Sequence, residues 1–212
     1  MESKMFRISA KSNDKIQLKI YPGHFATPQS HITHYLDLTT MKYRCAEAKT
    51  IAQELAKAYS FTTSVDTIVC LDGLEVVGAY LSDELTRAGV LNMNSHQTMY
   101  IVKPEYSLGQ AIFRDNMQFM IKDKNVLILN GSITTGETLS KVAKAINYYG
   151  GVVTGIAAIF SAVDKVAQLP VISLFKQKEI PNYSSYSVNE CPLCQRQERL
   201  DAIVNGYGYS KI

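Results

Sequence analysis

The amino-acid sequence predicts an α/β fold with a mostly parallel central sheet flanked by helices. Short apolar runs rich in β-branched residues, which are typical of buried strands, alternate along the chain with longer helical patterns. The order strand, helix, strand favours crossover connections, and such connections join parallel strands. A chain of 212 residues is also long enough to bury a sizeable core in one domain of this kind.

The predicted elements follow in order from the N-terminal region. A first helix is predicted over residues 41–59, and a second over residues 77–88, with Gly89 as its stop. A third helix follows the clearest buried strand and ends at Gly150-Gly151. The predicted strands cover residues 16–20, 65–71, 99–102, 125–129, 152–160 and 171–175.

Three regions are predicted along the chain. Residues 1–40 form a small N-terminal hood with short strands, and residues 41–180 form the α/β core. Residues 181–212 form a C-terminal tail that is rich in tyrosine and contains the turn Cys191-Pro192-Leu193-Cys194. Within the core, the polar stretch 103–117 is predicted to be a long loop, and long loops in compact domains are often lids.

Composition limits the class of partner. The net charge of +3 is too small for the clustered basic face that nucleic-acid binding requires, so we expect no nucleic-acid partner. No apolar run approaches the roughly 20 residues of a membrane helix, and the N-terminus lacks the apolar core of a signal peptide. We therefore expect a cytoplasmic protein with no membrane partner. We expect its four cysteines to be reduced.

The most informative segment joins the 125–129 strand to the helix after it. In parallel sheets this edge binds ligands, and the first turn of a helix offers unpaired N–H groups to an anion. Threonine hydroxyls add donors and a glycine permits close approach, although a threonine N-cap explains one of the threonines equally well. We name this predicted phosphate site the phosphate loop: Ser132, Ile133, Thr134, Thr135, Gly136, Glu137 and Thr138.

The strand Val126-Leu127-Ile128-Leu129 and the sequence Ile133-Thr134-Thr135-Gly136-Glu137-Thr138 resemble the signature of the type I phosphoribosyltransferases, which bind 5-phosphoribosyl-1-pyrophosphate (PRPP). Tyr35-Leu36-Asp37 is similar to the base-covering region of the orotate branch, and the Cys191–Cys194 turn resembles a tail found in some of its enzymes. The resemblance implies transfer of phosphoribose from PRPP to orotate or a related base, with Mg²⁺. It also implies a phosphoribosyltransferase fold, a 5′-phosphate held by the phosphate loop, and a homodimer.

The chain departs from the family signature beside the ribose. The family carries two acidic residues before its loop, and their positions are occupied here by Asn130 and Gly131. An amide carries no charge, and the loss of such electrostatic stabilisation costs roughly 2–4 kcal/mol of transition-state energy. A catalytically impaired protein that binds PRPP or a nucleotide for regulation is therefore the alternative.

The predicted pyrophosphate loop also departs from the family pattern. It consists of Asp72, Gly73, Leu74 and Glu75, and its two carboxylates would repel pyrophosphate unless Mg²⁺ lay between them. Asp72 and Glu75 are thus predicted metal ligands, with an acidic helix N-terminus as the alternative. Lys103 is the predicted catalytic residue, because its positive charge could contact the departing pyrophosphate. The alternative is a solvated lysine in a loop.

Cys191 and Cys194 have the spacing of half a zinc site, but we do not expect zinc. A structural zinc takes four protein ligands, and no second cysteine pair or nearby histidine pair is evident in the sequence. His31 and His34 could line a base pocket, although surface histidines are the simpler interpretation. Lys42 is predicted to lie on the solvated face of the first helix.

Overall fold

The computed structural model describes residues 5–87, 92–95 and 97–212. The predicted helix stop at Gly89 lies outside these residues. The elements in chain order are β1 (Phe6–Ala10), β2 (Asn13–Ala26), β3 (His31–Asp37), α1 (Thr39–Tyr43), α2 (Cys45–Ala56), β4 (Thr67–Cys70), α3 (Glu75–Thr86), β5 (Tyr100–Val102), β6 (Glu105–Ser107), β7 (Gln110–Ile112), β8 (Asn125–Ile133), α4 (Glu137–Tyr148), β9 (Val152–Ser161), β10 (Lys165–Val166), β11 (Leu169–Lys176), β12 (Ser185–Tyr186), α5 (Pro192–Gln195), β13 (Ala202–Asn205) and β14 (Gly208–Lys211).

The central sheet has the strand order β10-β11-β9-β8-β4-β5. The four pairings from β11 to β5 are parallel, and β10 adds an antiparallel edge. This confirms the predicted α/β class. Cys70 at the end of β4 pairs with Leu129 in β8, so the loop after β4 lies beside the last residues of β8.

Helices pack on the sheet through the apolar faces that the sequence predicts. The buried face of α4 consists of Leu139, Val142, Ala143 and Ile146. The single helix predicted over 41–59 is instead two helices, α1 and α2, which meet at Arg44. The backbone of Arg44 is extended, with φ −90° and ψ 108°, and the buried residues of α1 are Met41 and Lys42.

A second sheet, the hood sheet, covers the carboxyl end of the central sheet's strands. Its strand order is β12-β3-β2-β13-β14, with β1 paired to β2. The tail contributes β13, which runs parallel to β2 through the pair Ala202 and Phe25. The hood sheet is therefore built from both ends of the described chain.

The stretch predicted as a long loop contains a hairpin instead. Strands β6 and β7 pair through Tyr106 and Ala111, and Arg114 forms a 2.6 Å ion pair with Glu105 across the hairpin. Within the described ranges, no helix combines the length and the apolar character needed to cross a membrane.

Candidate functional site

A cavity of about 330 Å³ lies between the hood sheet and the ends of β4 and β8. Its wall includes every residue of the phosphate loop, together with the turn between β13 and β14. The hood contributes Ile32 and Tyr35, and the loop after β4 contributes Asp72. The fold therefore brings the predicted phosphate loop, one residue of the predicted pyrophosphate loop and the tail to one place.

The phosphate loop turns sharply at Gly136, between the end of β8 and the start of α4. Gly136 is the N-cap of α4 and has a left-handed φ of +80°. A Cβ at this position would also approach Val166 Cγ2 to 2.7 Å. Both the dihedral angle and the packing therefore require glycine here.

The first turn of α4 presents backbone N–H groups to the cavity. Gly136 has no side chain to cap them, and the contact at this turn is a long 3.4 Å bond from Glu137 N–H to Thr135 Oγ1. The helical ladder begins when Ser140 N–H donates to the Gly136 carbonyl over 2.9 Å. The earlier N–H groups and the positive end of the helix dipole suit an anion, and the exposed side chains of Thr135 and Thr138 can add hydroxyl donors.

Asn130 carries a buried acceptor that lacks a partner. Its side chain is 4% exposed, and Nδ2 donates to the Ser132 carbonyl over 3.3 Å. Within the described part of the chain, its Oδ1 accepts no hydrogen bond. An unsatisfied buried acceptor costs roughly 1–3 kcal/mol, which a hydroxyl group of a ligand in the cavity would recover.

Lys42 is buried in the cavity wall, so its prediction as a solvated residue is wrong. It is 4% exposed, and Nζ donates to the Asp72 carbonyl over 2.8 Å and to the Gly206 carbonyl. Burial lowers the pKa of Lys42, and the nearby carboxylates of Asp72, Asp37 and Glu75 oppose that effect. Sequence periodicity missed this residue because α1 is a separate helix of five residues.

The carboxylate of Asp72 lies beside the positions where the acidic pair is missing. It lies near the backbone N–H groups of Gly131 and Ser132. Burial raises the pKa of Asp72, whereas Lys42 and these two N–H groups act in the opposite direction. A carboxylate from the loop after β4 therefore reaches the end of β8.

The other predicted pyrophosphate-loop residues, Gly73, Leu74 and Glu75, are not among the described wall residues. Glu75 forms a 3.4 Å ion pair with Lys103, and both side chains are partly exposed. Lys103 Nζ also lies 5.4 Å from the ring centroid of Tyr207, which is in the cavity wall. Lys103 is thus at the rim, and contacts with Tyr207 and Glu75 raise its pKa.

The cavity wall also contains aromatic side chains, among them Tyr35 and Tyr183. Tyr35 packs edge-on against Tyr209, with the ring centroids 5.2 Å apart, and burial raises the pKa of Tyr35 to about 12. His31 and His34 are buried, at 7% and 6% exposure, rather than on the surface. Neither histidine is among the described wall residues. His34 stacks on Tyr183, and Tyr183 is a wall residue.

His31 instead belongs to a cluster that the sequence did not reveal. The ligand atoms of His24, His31, Cys191 and Cys194 all lie within 4.8 Å of one another. The premise that no histidine pair lies near the two cysteines is therefore wrong. The hairpin of β2 and β3 supplies that pair from more than 150 residues away in the sequence.

No family model matches the chain. Among solved structures, it is similar to UMP synthase of Leishmania donovani, with 16% identity and a TM-score of 0.54 over 76% of this chain and 34% of that one. It is similar to adenine phosphoribosyltransferase of Trypanosoma brucei, with 13% identity and a TM-score of 0.54 over 79% of each chain. Orotate phosphoribosyltransferase of Mycobacterium tuberculosis gives 14% identity and a TM-score of 0.50 over 76% of this chain and 91% of that one.

These similarities define the fold. The chain has the fold of the type I phosphoribosyltransferases, as its sequence predicts. It spans about a third of the UMP synthase chain and nine-tenths of the orotate enzyme. Because orotate and adenine enzymes share this fold, the orotate branch stays a prediction.

Proposed function

We propose that the protein binds PRPP, or a nucleotide with a ribose 5-phosphate group, in this cavity and transfers phosphoribose to orotate or a related base. The observation that carries the proposal is the phosphate loop, which lines the cavity at the uncapped N-terminus of α4. The fold supports the same conclusion.

Each part of the wall has a role in this proposal. The N–H groups of the first turn of α4 and the hydroxyls of Thr135 and Thr138 hold the 5′-phosphate. Asn130 Oδ1 accepts a hydrogen bond from a ribose hydroxyl. Asp72 places negative charge near the ribose, where positive charge develops in the transition state. Lys103 stands at the rim and meets the departing pyrophosphate, so that proximity and electrostatics supply the catalysis.

The oxygen atoms that the wall offers as metal ligands fit Mg²⁺. This ion is usually held by one or two carboxylates together with the phosphate oxygens of a substrate, and the wall offers the Asp72 carboxylate and the free Asn130 Oδ1. When bound, Mg²⁺ would neutralise the pyrophosphate oxygens. Glu75, the second predicted ligand, is paired with Lys103, so we assign the ion to Asp72.

Release of pyrophosphate from PRPP and Mg²⁺ tests the reaction, first with orotate and then with a panel of other bases. Release that depends on one base establishes the enzyme and identifies its acceptor. No release with any base, from folded protein that still binds PRPP, establishes the alternative of a PRPP-binding or nucleotide-binding regulatory protein.

Calorimetry with ribose 5-phosphate tests the phosphate site separately. A Thr135→Val plus Thr138→Val variant should lose at least about tenfold in affinity, because each hydrogen bond to a charged phosphate contributes roughly 1.5–3 kcal/mol. Thr62→Val, at an exposed threonine outside the wall, is the control. Equal affinities for the double variant and the control would refute the site.

We also propose that the protein acts in the cytoplasm as a homodimer. Light scattering on the purified protein tests the dimer directly. A mass near twice the chain mass of 23.6 kDa is expected, and a monomer over the working concentration range would exclude it.

A further inference from the structure

We propose that His24, His31, Cys191 and Cys194 form a tetrahedral zinc site that fastens the C-terminal tail to the hood sheet. The site lies outside the described cavity wall and plays no part in the reaction proposed above. Two thiolates and two imidazoles are a common ligand set for structural zinc.

Four of the six distances between the ligand atoms are close to the edges of a zinc tetrahedron, and all six are within 4.8 Å. His24 Nε2 lies 3.2 Å from His31 Nδ1. Cys194 Sγ lies 3.2 Å from His31 Nδ1 and 3.7 Å from His24 Nε2, and Cys191 Sγ lies 3.4 Å from His24 Nε2. Zinc bonds of about 2.0–2.1 Å to nitrogen and about 2.3 Å to sulfur give edges of about 3.3 Å between nitrogens and about 3.6 Å between nitrogen and sulfur.

His24 is held in the tautomer that binding requires. Its Nδ1 lies 3.0 Å from the Glu198 carbonyl. Since a carbonyl can only accept, Nδ1–H is the donor and the lone pair of Nε2 faces the cluster. This second contact orients a metal-binding imidazole in the usual way. The backbone of His24 is fixed as well, because its N–H donates to Asp201 Oδ2 over 2.8 Å.

Rigid elements carry the four ligands. His24 lies near the end of β2 and His31 at the start of β3, joined by a short turn in which Ser30 N–H donates to Thr27 Oγ1 over 2.8 Å. Cys191 is the N-cap of α5, and Cys194 is the third residue of that helix. The Cys-x-x-Cys spacing and the hairpin thus present two ligands each, without rearrangement of the backbone.

Burial indicates a structural rather than a catalytic metal. His24 is 3% exposed, His31 is 7% exposed and Cys191 is fully buried, whereas Cys194 lies at the surface. Four protein ligands leave no coordination position for a substrate, as in structural zinc sites. A tetrahedral set of two sulfurs and two nitrogens favours zinc over the metals that prefer oxygen or square-planar ligands.

The site explains how the tail reaches the cavity. The chain leaves α5 and enters β13, which pairs with β2 next to His24 through Ala202 and Phe25. The turn after β13 places Gly206 and Tyr207 in the cavity wall. A zinc ion at the cluster would therefore anchor the segment that closes one side of the cavity.

Metal analysis of the full chain, produced in zinc-supplemented medium, tests the proposal. We expect one zinc per chain by mass spectrometry of the metals, and a loss of most of it in Cys191→Ser and Cys194→Ser. Cys45→Ser, at an exposed cysteine outside the cluster, should keep the zinc. Removal of the metal with a chelator should lower the melting temperature by roughly 5 °C or more.

Cobalt provides a readout that does not depend on how the variants fold. Addition of Co²⁺ to the metal-free wild-type protein should give the visible bands of tetrahedral cobalt and a thiolate charge-transfer band. The proposal is overturned if the wild-type protein holds no zinc and gives no such spectrum, or if Cys191 and Cys194 form a disulfide in protein purified under reducing conditions. Neither result depends on PRPP binding, so the two proposals can fail separately.

Discussion

The ammonium group of Lys42 donates a hydrogen bond to the backbone carbonyl of Asp72 over 2.8 Å and a second to the carbonyl of Gly206. These carbonyls belong to the loop after β4 and to the turn between β13 and β14. One buried cation thus joins the core to the tail in the cavity wall. Gly131 provides the space, because a Cβ there would lie 3.3 Å from Lys42 Cε.

Replacement of Lys42 by methionine should destabilise the protein by roughly 1–3 kcal/mol, because it leaves both carbonyls without their donor. It also removes the cation that faces the Asp72 carboxylate. Urea denaturation measures the change. Lys49→Met, on the exposed side of α2, makes the same chemical change without these contacts. Equal unfolding free energies for the two variants would show that Lys42 does not fasten the wall.

Replacement of Gly136 by alanine should combine a strained φ of +80° with a 2.7 Å approach to Val166. We expect a loss of roughly 1–2 kcal/mol in stability and at least tenfold weaker binding of ribose 5-phosphate. Gly109→Ala is a matched control, because Gly109 has φ +76° but nothing within 4 Å of the added Cβ. If both alanine variants lose the same free energy of unfolding and still bind ribose 5-phosphate, contact with Val166 does not determine the conformation of the phosphate loop.

The parts of the fold that the sequence predicted are those encoded by local patterns. The buried strand before the phosphate loop and the apolar face of α4 follow from residues within one or two turns of each other. The burial of Lys42 was missed because it depends on Asp72 and Gly206, which are far away in the chain.

The pairing of the tail with the N-terminal hood strands and the metal-ligand cluster were missed for the same reason. Pairing of β13 with β2 brings Ala202 to Phe25. Hydrophobic periodicity describes only local structure, so it cannot predict a contact between segments so far apart in the sequence. The spacing of Cys191 and Cys194 reveals half of a ligand set, whereas two single histidines on a hairpin have no recognisable spacing. Such contacts become visible once the topology is known.

Restoration of the acidic pair should raise the rate of phosphoribosyl transfer. In an Asn130→Asp plus Gly131→Asp variant, two carboxylates would join Asp72 beside the ribose, and we expect kcat for pyrophosphate release to rise by about tenfold or more. The Cβ at residue 131 would meet the flexible end of Lys42 at 3.3 Å, which can move and pair with the new carboxylate.

Asn147→Asp adds one such charge on the exposed surface of α4, away from the cavity wall, and should leave the rate unchanged. Steady-state kinetics with PRPP and the preferred base measure both variants. An unchanged or lower kcat in the double variant would show that Asp72 already supplies the transition-state stabilisation that the acidic pair is expected to provide in proteins with the family signature.

The hood should lose stability in mild acid because of His34. Its imidazole is buried against Tyr183, with the ring centroids 6.0 Å apart, and against Phe6 at 6.2 Å. Burial lowers the pKa of His34 from its usual 6.5. The unfolded chain therefore binds a proton first as the pH falls below about 6.5, and the free energy of unfolding decreases until the folded state is protonated too.

A His34→Gln variant should lack this part of the pH dependence. Urea denaturation between about pH 5 and pH 8 measures it, with the difference between wild type and variant as the quantity of interest. Above pH 7.5 the histidine is neutral in both states, so the difference there reports lost packing alone. Below pH 6.5 the wild type should lose stability faster than the variant, so that the two curves converge. Parallel curves over the whole range would show that His34 is protonated as readily in the folded protein as in the unfolded chain.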